Sequence, residues 1–513
     1  MKKLNPILIS GKEVLPLIEG GKGVAISNGA SSGAWAAENA VGTISGVFAD
    51  IVDETGRIVP KEYPSRVRAE RHAQLIRYSI AGAVSQARIA HEIAGNRGRV
   101  HMNFLWEMGG SNAIIEGALE TLENASHKVR ATMDKVIPPL RQNVQEAVGA
   151  VQQTLQSRVN QAMPAVEQFL GGAKDFIHGI TCGAGMPYRL GEIASKYGIF
   201  YYPIVSSARA FKALWLRSYK NFKEFLGGVV YEDPWLAGGH NGLSNSENPA
   251  EPQRPYERLV ELRRQMAEFG LQRTPIILAG GVWNLSEFDD YIDNPDIGPL
   301  AFQFGTRPLL TQESPIAKAW QKTLMALKKG DILLQRFSPT GFYSSAIKNR
   351  FLEKLINRSQ TEMPYREAAD ATFTAPFPMG GQTLYLSDAD FKRAQDYIAQ
   401  GFGIPARTPD ASLVFLSPED EKDIRQSRAD CIGCLSQCRF SGWSQSTGST
   451  GRLPDPRSFC IARTLGSIAH GGSVDDNLMF AGHAAYRFAT DPMYRDDFVP
   501  SVRQLIAALL EGK

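Results

Sequence analysis

Cysteine is scarce in this sequence, with five in 513 residues. So few thiols in so long a chain exclude a disulfide framework, and four of them fall in the last quarter. A reducing, cytoplasmic location is expected. Charge of one sign is also missing. There are 56 Lys and Arg against 53 Asp and Glu, a formal net charge of +3. No long basic run breaks that balance, so nucleic acid is not an expected partner. No apolar stretch approaches the ~18 residues of a membrane span. Met1-Lys-Lys leads into a proline-interrupted stretch that soon meets Lys12 and Glu13, so a secretory leader is not expected. A Gly-x-Gly-x-x-Gly turn between a first strand and a helix is absent too, which speaks against an open doubly wound sheet.

What the chain does have is alternation. Eight short apolar runs read as strands: Gly23–Ser27, Val41–Ser45, Val100–Leu105, Phe176–Thr181, Ile199–Val205, Gly228–Tyr231, Pro275–Leu278 and Leu300–Phe304. Helical stretches separate most of them, among them Ser32–Ala40, Pro64–Ala94, Ala113–Leu122, Tyr188–Lys196 and Pro255–Phe269. Eight strand–helix repeats with Val/Ile-rich strands argue an α/β fold, a TIM-type (β/α)8 barrel. A length of 513 residues exceeds one such barrel, typically about 250 residues, by about as much again. The barrel is therefore assigned to residues 1–123 and 171–330. Residues 124–170 read as an amphipathic helical insertion with a Gln-rich outer face, suited to packing or a homo-oligomer contact rather than to chemistry. Residues 331–513 form a C-terminal extension, in which Val502–Leu510 reads as a terminal helix.

Two strands carry the most information. Pro275-Ile-Ile-Leu-Ala-Gly-Gly281 and Leu300-Ala-Phe-Gln-Phe-Gly-Thr306 both end in glycine, where backbone can approach a ligand closely. Successive glycine-tipped strands late in a barrel form a phosphate cradle at its C-terminal face. Trp235-Leu-Ala-Gly-Gly-His-Asn-Gly242 then places His240 on the loop after a barrel strand, as a base or a hydrogen-bond donor. A glycine-rich turn, Glu19-Gly-Gly-Lys-Gly-Val24, offers a surface on which a flat ring can lie. Ser206 and Ser207 end a strand and are weaker candidates. Ser338-Pro-Thr-Gly-Phe342 is read either as a segment reaching over the barrel mouth or as a plain turn. His101, His178, His470 and His483 read as structural.

Together, Gly20–Ser45, Thr181-Cys-Gly-Ala-Gly185, Ala237-Gly-Gly-His240, Ala279-Gly-Gly281 and Gln303-Phe-Gly-Thr306 resemble the nitronate monooxygenase family over roughly residues 5–350, leaving out the insertion. The resemblance implies FMN. Its phosphate would rest on Gly280, Gly281, Gly305 and Thr306. Its ring would lie against Gly21, Lys22, Gly23 and Val24, with Asn103, Cys182, Gly183, Gly239 and Gln303 nearby. Lys22 departs from the apolar residue that the family commonly has there. It would either face the ring's N1–C2 edge and favour the anionic reduced flavin, or point to solvent. The implied activity is oxidation of a small-molecule nitronate or nitroalkane, or use of NAD(P)H as donor. Reduction of enoyl thioesters or quinones is the alternative on the same barrel, with an acyl-carrier or electron-transfer partner. A third reading is a non-catalytic flavoprotein that binds a partner through the insertion.

Cys431-Ile-Gly-Cys434-Leu-Ser-Gln-Cys438, with Cys460 further on, supplies the four thiolates that a 4Fe-4S cluster or a zinc ion requires. The segment resembles the cluster-binding stretch of the old-yellow-enzyme-like dienoyl reductases, although the fourth cysteine stands farther along. Iron–sulfur, zinc and unliganded thiols all stay open at this level.

Overall fold

The computed structural model describes residues 2–125, 157 and 172–513. Its centre is a closed barrel of eight parallel strands in chain order. They are β1 (Leu17–Glu19), β2 (Val41–Ser45), β3 (Arg99–Leu105), β4 (Gly179–Gly183), β5 (Phe200–Val205), β6 (Val229–Glu232), β7 (Ile276–Ala279) and β8 (Leu300–Phe304), with β8 pairing back onto β1. Helices such as Gly29–Ala37, Arg68–Ala94 and Pro255–Glu268 return the chain between them.

Strand periodicity sorts the side chains. Ile18, Val41, Tyr202, Val230, Ile277 and Ala301 turn inward and fill the barrel. Their neighbours Leu17, Tyr201, Val229, Tyr231, Ile276 and Leu300 turn outward into the larger core shared with the helices. An N-terminal hairpin, Ile7–Ile9 with Lys12–Val14, contributes Ile9 and Val14 to the same inner cluster.

The structure corrects one expected strand. Gly23–Ser27 is a series of turns, and the first barrel strand is Leu17–Glu19. Val24, Ala25 and Ile26 are buried as the sequence suggests, but they are buried in a loop. Ser27 Oγ pins that loop, donating to Gly20 O at 3.0 Å and accepting from Lys22 N at 3.0 Å. Phe176 belongs to the helical turn Ala173–Phe176, so β4 begins later than expected. The insertion expected at 124–170 lies outside the described residues, apart from 124, 125 and 157.

The C-terminal region continues onto the barrel. Ile332–Gln335 and Ser344–Ile347 form an antiparallel hairpin, and Gly239–His240 joins it as a third strand. Residues 363–416 fold around a small core of their own that includes Met363, Leu384, Leu386, Leu413 and Phe415. The terminal helix is Val502–Leu510, closed by a capping box between Ser501 and Gln504. Among the described residues no helix is long and apolar enough to cross a membrane.

Candidate active site

The inward parity of the strands decides which side chains reach the C-terminal mouth. Continued to the strand ends, it brings up Asn103 from β3, Gly183 from β4, Glu232 from β6 and Gln303 from β8. These residues line one cavity of about 200 Å³ together with Gly20–Val24, Ala237–His240, Gly280-Gly281 and Gly305-Thr306. The cavity thus gathers every residue expected near the flavin except Cys182. Cys182 has the opposite parity on β4: its side chain turns outward, fully buried in the layer between strands and helices. The expectation that it touches the ring is therefore corrected, and only the neighbouring Gly183 faces the cavity.

Among the glycines lining the cavity, backbone approach is closest at Gly21. A Cβ there would stand 2.2 Å from Cβ of Asn103, so no larger residue fits. Asn103 is held in turn, accepting from Thr181 Oγ1 at 2.8 Å and donating to Gly21 O at 3.3 Å. Across the mouth, Gly280 and Gly281 have φ of +92° and +75°, a conformation that side chains rarely adopt. Among the described residues, the backbone N–H groups of Gly280, Gly281, Gly305 and Thr306 find no acceptor within the protein. Four amides without a protein acceptor at one rim make a site for an anion, because neighbouring free N–H groups present partial positive charge.

Lys22 lines the cavity and does not point to solvent. Its ammonium folds back and donates to Glu19 Oε1 at 2.9 Å and to Gly20 O at 2.9 Å. Glu19 is fully buried, and it also accepts from Ser31 Oγ at 2.6 Å and Ser32 Oγ at 3.0 Å. Burial lowers the Lys22 pKa, and Glu19 opposes that shift. The pair ties the glycine loop to the helix Gly29–Ala37.

His240 is fixed from three sides. Its backbone pairs with Ser344, its Nε2 lies 2.6 Å from Ser338 Oγ, and its ring meets Phe480 edge-on at 5.3 Å between centroids. Ser338 belongs to a turn that touches His240, and it is not part of the cavity lining. Desolvation lowers the His240 pKa to about 4, so the imidazole is neutral at neutral pH. Asp233 shapes the preceding turn, accepting from the amides of Trp235 and Leu236 at 2.9 Å each.

Sequence reasoning missed much of the apolar lining of this cavity, and Glu232 and Phe480 matter most among the residues missed. Glu232 ends β6 one position beyond the expected strand, with the same parity as Val230, and that parity was the available signal. Burial, and secondarily the charge of Asp233, raise its pKa to about 8, which leaves it largely protonated at neutral pH. Phe480 comes from the far C-terminal region, and no sequence pattern marks it. Ser206 and Ser207 have local duties instead: Ser206 Oγ donates to Gly242 O at 2.8 Å, and Ser207 caps the helix Ala208–Arg217. His101, His178 and His483 hydrogen-bond to Ser10, Val100 and Ser345, and His470 pairs with Asp50.

Cys431, Cys434, Cys438 and Cys460 line a second cavity, of about 480 Å³. It shares Val24, Phe48, Cys434 and Ile461 with the first. Among the described residues, no three His, Cys, Asp or Glu side chains are gathered so as to hold a metal ion.

The sequence matches the nitronate monooxygenase family over residues 128–512. That span runs through the C-terminal region, which the motif resemblance did not reach. No curated protein matches the chain. Among solved structures, FabK from Thermotoga maritima is similar at 11% identity over 97% of this chain and 92% of its own, with a TM-score of 0.47. The enoyl reductase domain of MlnA, from the macrolactin biosynthesis cluster of Bacillus amyloliquefaciens, is similar at 12% identity over 97% and 93%, with a TM-score of 0.47. A nitroalkane oxidase from Streptomyces ansochromogenes is similar at 15% identity over 66% and 78%, with a TM-score of 0.39. With three quarters of its length matched, the chain belongs to the nitronate monooxygenase family of oxidoreductases.

Proposed function

We propose that the first cavity binds FMN and that the protein is an FMN-dependent oxidoreductase of the nitronate monooxygenase type. The observation that carries this reading is the set of four unpartnered amides on Gly280, Gly281, Gly305 and Thr306, at the rim of a cavity that also holds a neutral histidine. Those amides would hold the phosphate. Gly21–Val24, Asn103, Gly183, Gly239 and Gln303 would line the ring. When bound, FMN supplies two-electron oxidation of the substrate and reacts onward with oxygen or an organic acceptor.

The chain's own residues do the positioning. An imidazole with a pKa of about 4 is a weak base, so His240 is poorly suited to removing a proton from carbon. With Ser338 Oγ–H donating to Nε2, it is well suited to donating a hydrogen bond to a nitronate oxygen from Nδ1. A nitronate already carries the carbanion's electrons and needs no proton removed. His240→Ala should therefore slow nitronate and neutral nitroalkane turnover by similar factors.

Glu232 favours a second reading, an NAD(P)H-dependent reductase of enoyl thioesters or quinones. Reducing a conjugated C=C bond takes a hydride at one carbon and a proton at the next. A carboxyl with a pKa of about 8 in this cavity can supply that proton. Nitronate oxidation has no such need.

The test begins with the purified protein and the identity of the flavin it releases. Oxygen uptake with nitronate, with neutral nitroalkane and with NADPH alone follows. Nitronate-driven uptake with slow NADPH bleaching supports the first reading. Rapid anaerobic bleaching by NADPH or NADH, with no nitronate turnover, replaces it with the second. Protein that stays colourless in excess FMN removes both.

A further inference from the structure

The geometry points to a second redox cofactor, an iron–sulfur cluster of the four-iron type held by Cys431, Cys434, Cys438 and Cys460 in the cavity beside the proposed flavin site. This goes beyond the FMN reading and does not depend on it.

Four of the chain's five cysteines line one cavity, although the fourth stands 22 positions beyond the other three. All are free thiols. Backbone groups of Ala462, Ser441 and Arg463 approach the sulfurs of Cys434, Cys438 and Cys460.

The loop is built to stay in place. Cys434 O accepts from Gly109 N at 3.0 Å, and Ser436 N donates to Glu107 O at 2.7 Å. Both partners lie on the barrel loop after β3, which straps the cysteines to the catalytic end. Gly433 has φ of +70°, and a Cβ there would stand 2.9 Å from Trp443 Nε1, so this turn between two cysteines admits glycine only.

Charge supplies an independent observation. Arg428 brings a guanidinium to the same loop, at Phe440, two residues beyond Cys438. Its Nε donates to Phe440 O at 2.8 Å, but its Nη2 is buried with no partner. A buried, unpaired guanidinium N–H is costly. A thiolate-ligated cluster, which is anionic, would satisfy it.

Size separates the cluster from zinc. Thiolates on one tetrahedral zinc stand roughly 3.8 Å apart, given Zn–S bonds near 2.3 Å. A four-iron cubane spreads its cysteines more widely and needs volume, and about 480 Å³ is open here. Position makes the site a relay. On one side it shares Val24, Phe48, Cys434 and Ile461 with the first cavity, and on the other it reaches Ile58, which is 48% exposed.

The experiment is anaerobic purification of the full chain from iron-supplied cells. Iron, acid-labile sulfide, zinc and flavin are then counted, and EPR spectra are recorded after dithionite. About four iron and four sulfide per chain are expected, with the signal of a reduced four-iron cluster. Cys438→Ser should lose iron, while Cys182→Ser should keep the wild-type content. Zinc in place of iron, a disulfide between any two of the four, or no iron after treating folded protein with ferrous iron and sulfide would overturn the proposal. Iron without flavin supports this site and removes the FMN reading; flavin without iron does the reverse.

Discussion

Glu232 gives a prediction that needs no substrate. Its pKa rises from 4.5 to about 8 in the folded protein, chiefly through burial. Between those values the native state holds a proton that the unfolded chain releases. Stability from this group is therefore complete below about pH 4.5 and is lost as the pH rises through about 8. At 1.36 kcal/mol per unit the full loss is about 5 kcal/mol. The side chain is partly open to the cavity, and water there reduces that figure to an upper bound. Glu232→Gln keeps the size and removes the titration. Urea denaturation of the flavin-free protein at several pH values from 5 to about 9 measures the difference. The variant should gain on the wild type by a few kcal/mol across that range, at a little over 1 kcal/mol per pH unit up to about pH 8 and levelling off above it. A stability difference that stays constant with pH would refute the buried, protonated carboxyl.

Other perturbations follow from the same cavity. Lys22→Met leaves Glu19 as a buried carboxylate with only two hydroxyl donors, and should destabilise the fold by about 3–5 kcal/mol; Glu19→Gln in the same chain should recover most of that loss on a thermal melt. His240 titrates near 4, so a profile of kcat/KM against pH should show no break near 6.5, whereas an ordinary exposed histidine would give one. Ser338→Ala removes the 2.6 Å contact to His240 Nε2 and should lower kcat/KM roughly five- to tenfold, about the effect of one hydrogen bond. Gly281→Val places a branched side chain at φ of +75°, with Leu236 Cδ1 2.8 Å from its Cβ; FMN retention after gel filtration should fall while the fold melts cooperatively.

Much of the barrel is legible in the sequence because its strands are buried on both faces. Val41–Ser45 and Leu300–Phe304 appear as written, being apolar runs bounded by turn residues. The run at Val24–Ile26 misleads because burial alone does not distinguish a strand from a packed loop; hydrogen bonding does, and Ser27 diverts it. Cys182 was misplaced for a related reason. Its motif puts it beside the cavity, but one step along a strand reverses the face. The glycine rim was legible because close backbone approach leaves few alternatives to glycine. The contacts that fix His240 were not, since Ser338 meets it from 98 residues away and Phe480 from farther still.

Calorimetric titration of the flavin-free protein with FMN and with riboflavin tests the central claim most directly. The two ligands share a ring and differ in the phosphate. If the amides of Gly280, Gly281, Gly305 and Thr306 grip that phosphate, losing even one charge-assisted hydrogen bond, about 1.5 kcal/mol, makes riboflavin at least about tenfold weaker. Equal affinity for both flavins, or no heat with either, would contradict the account.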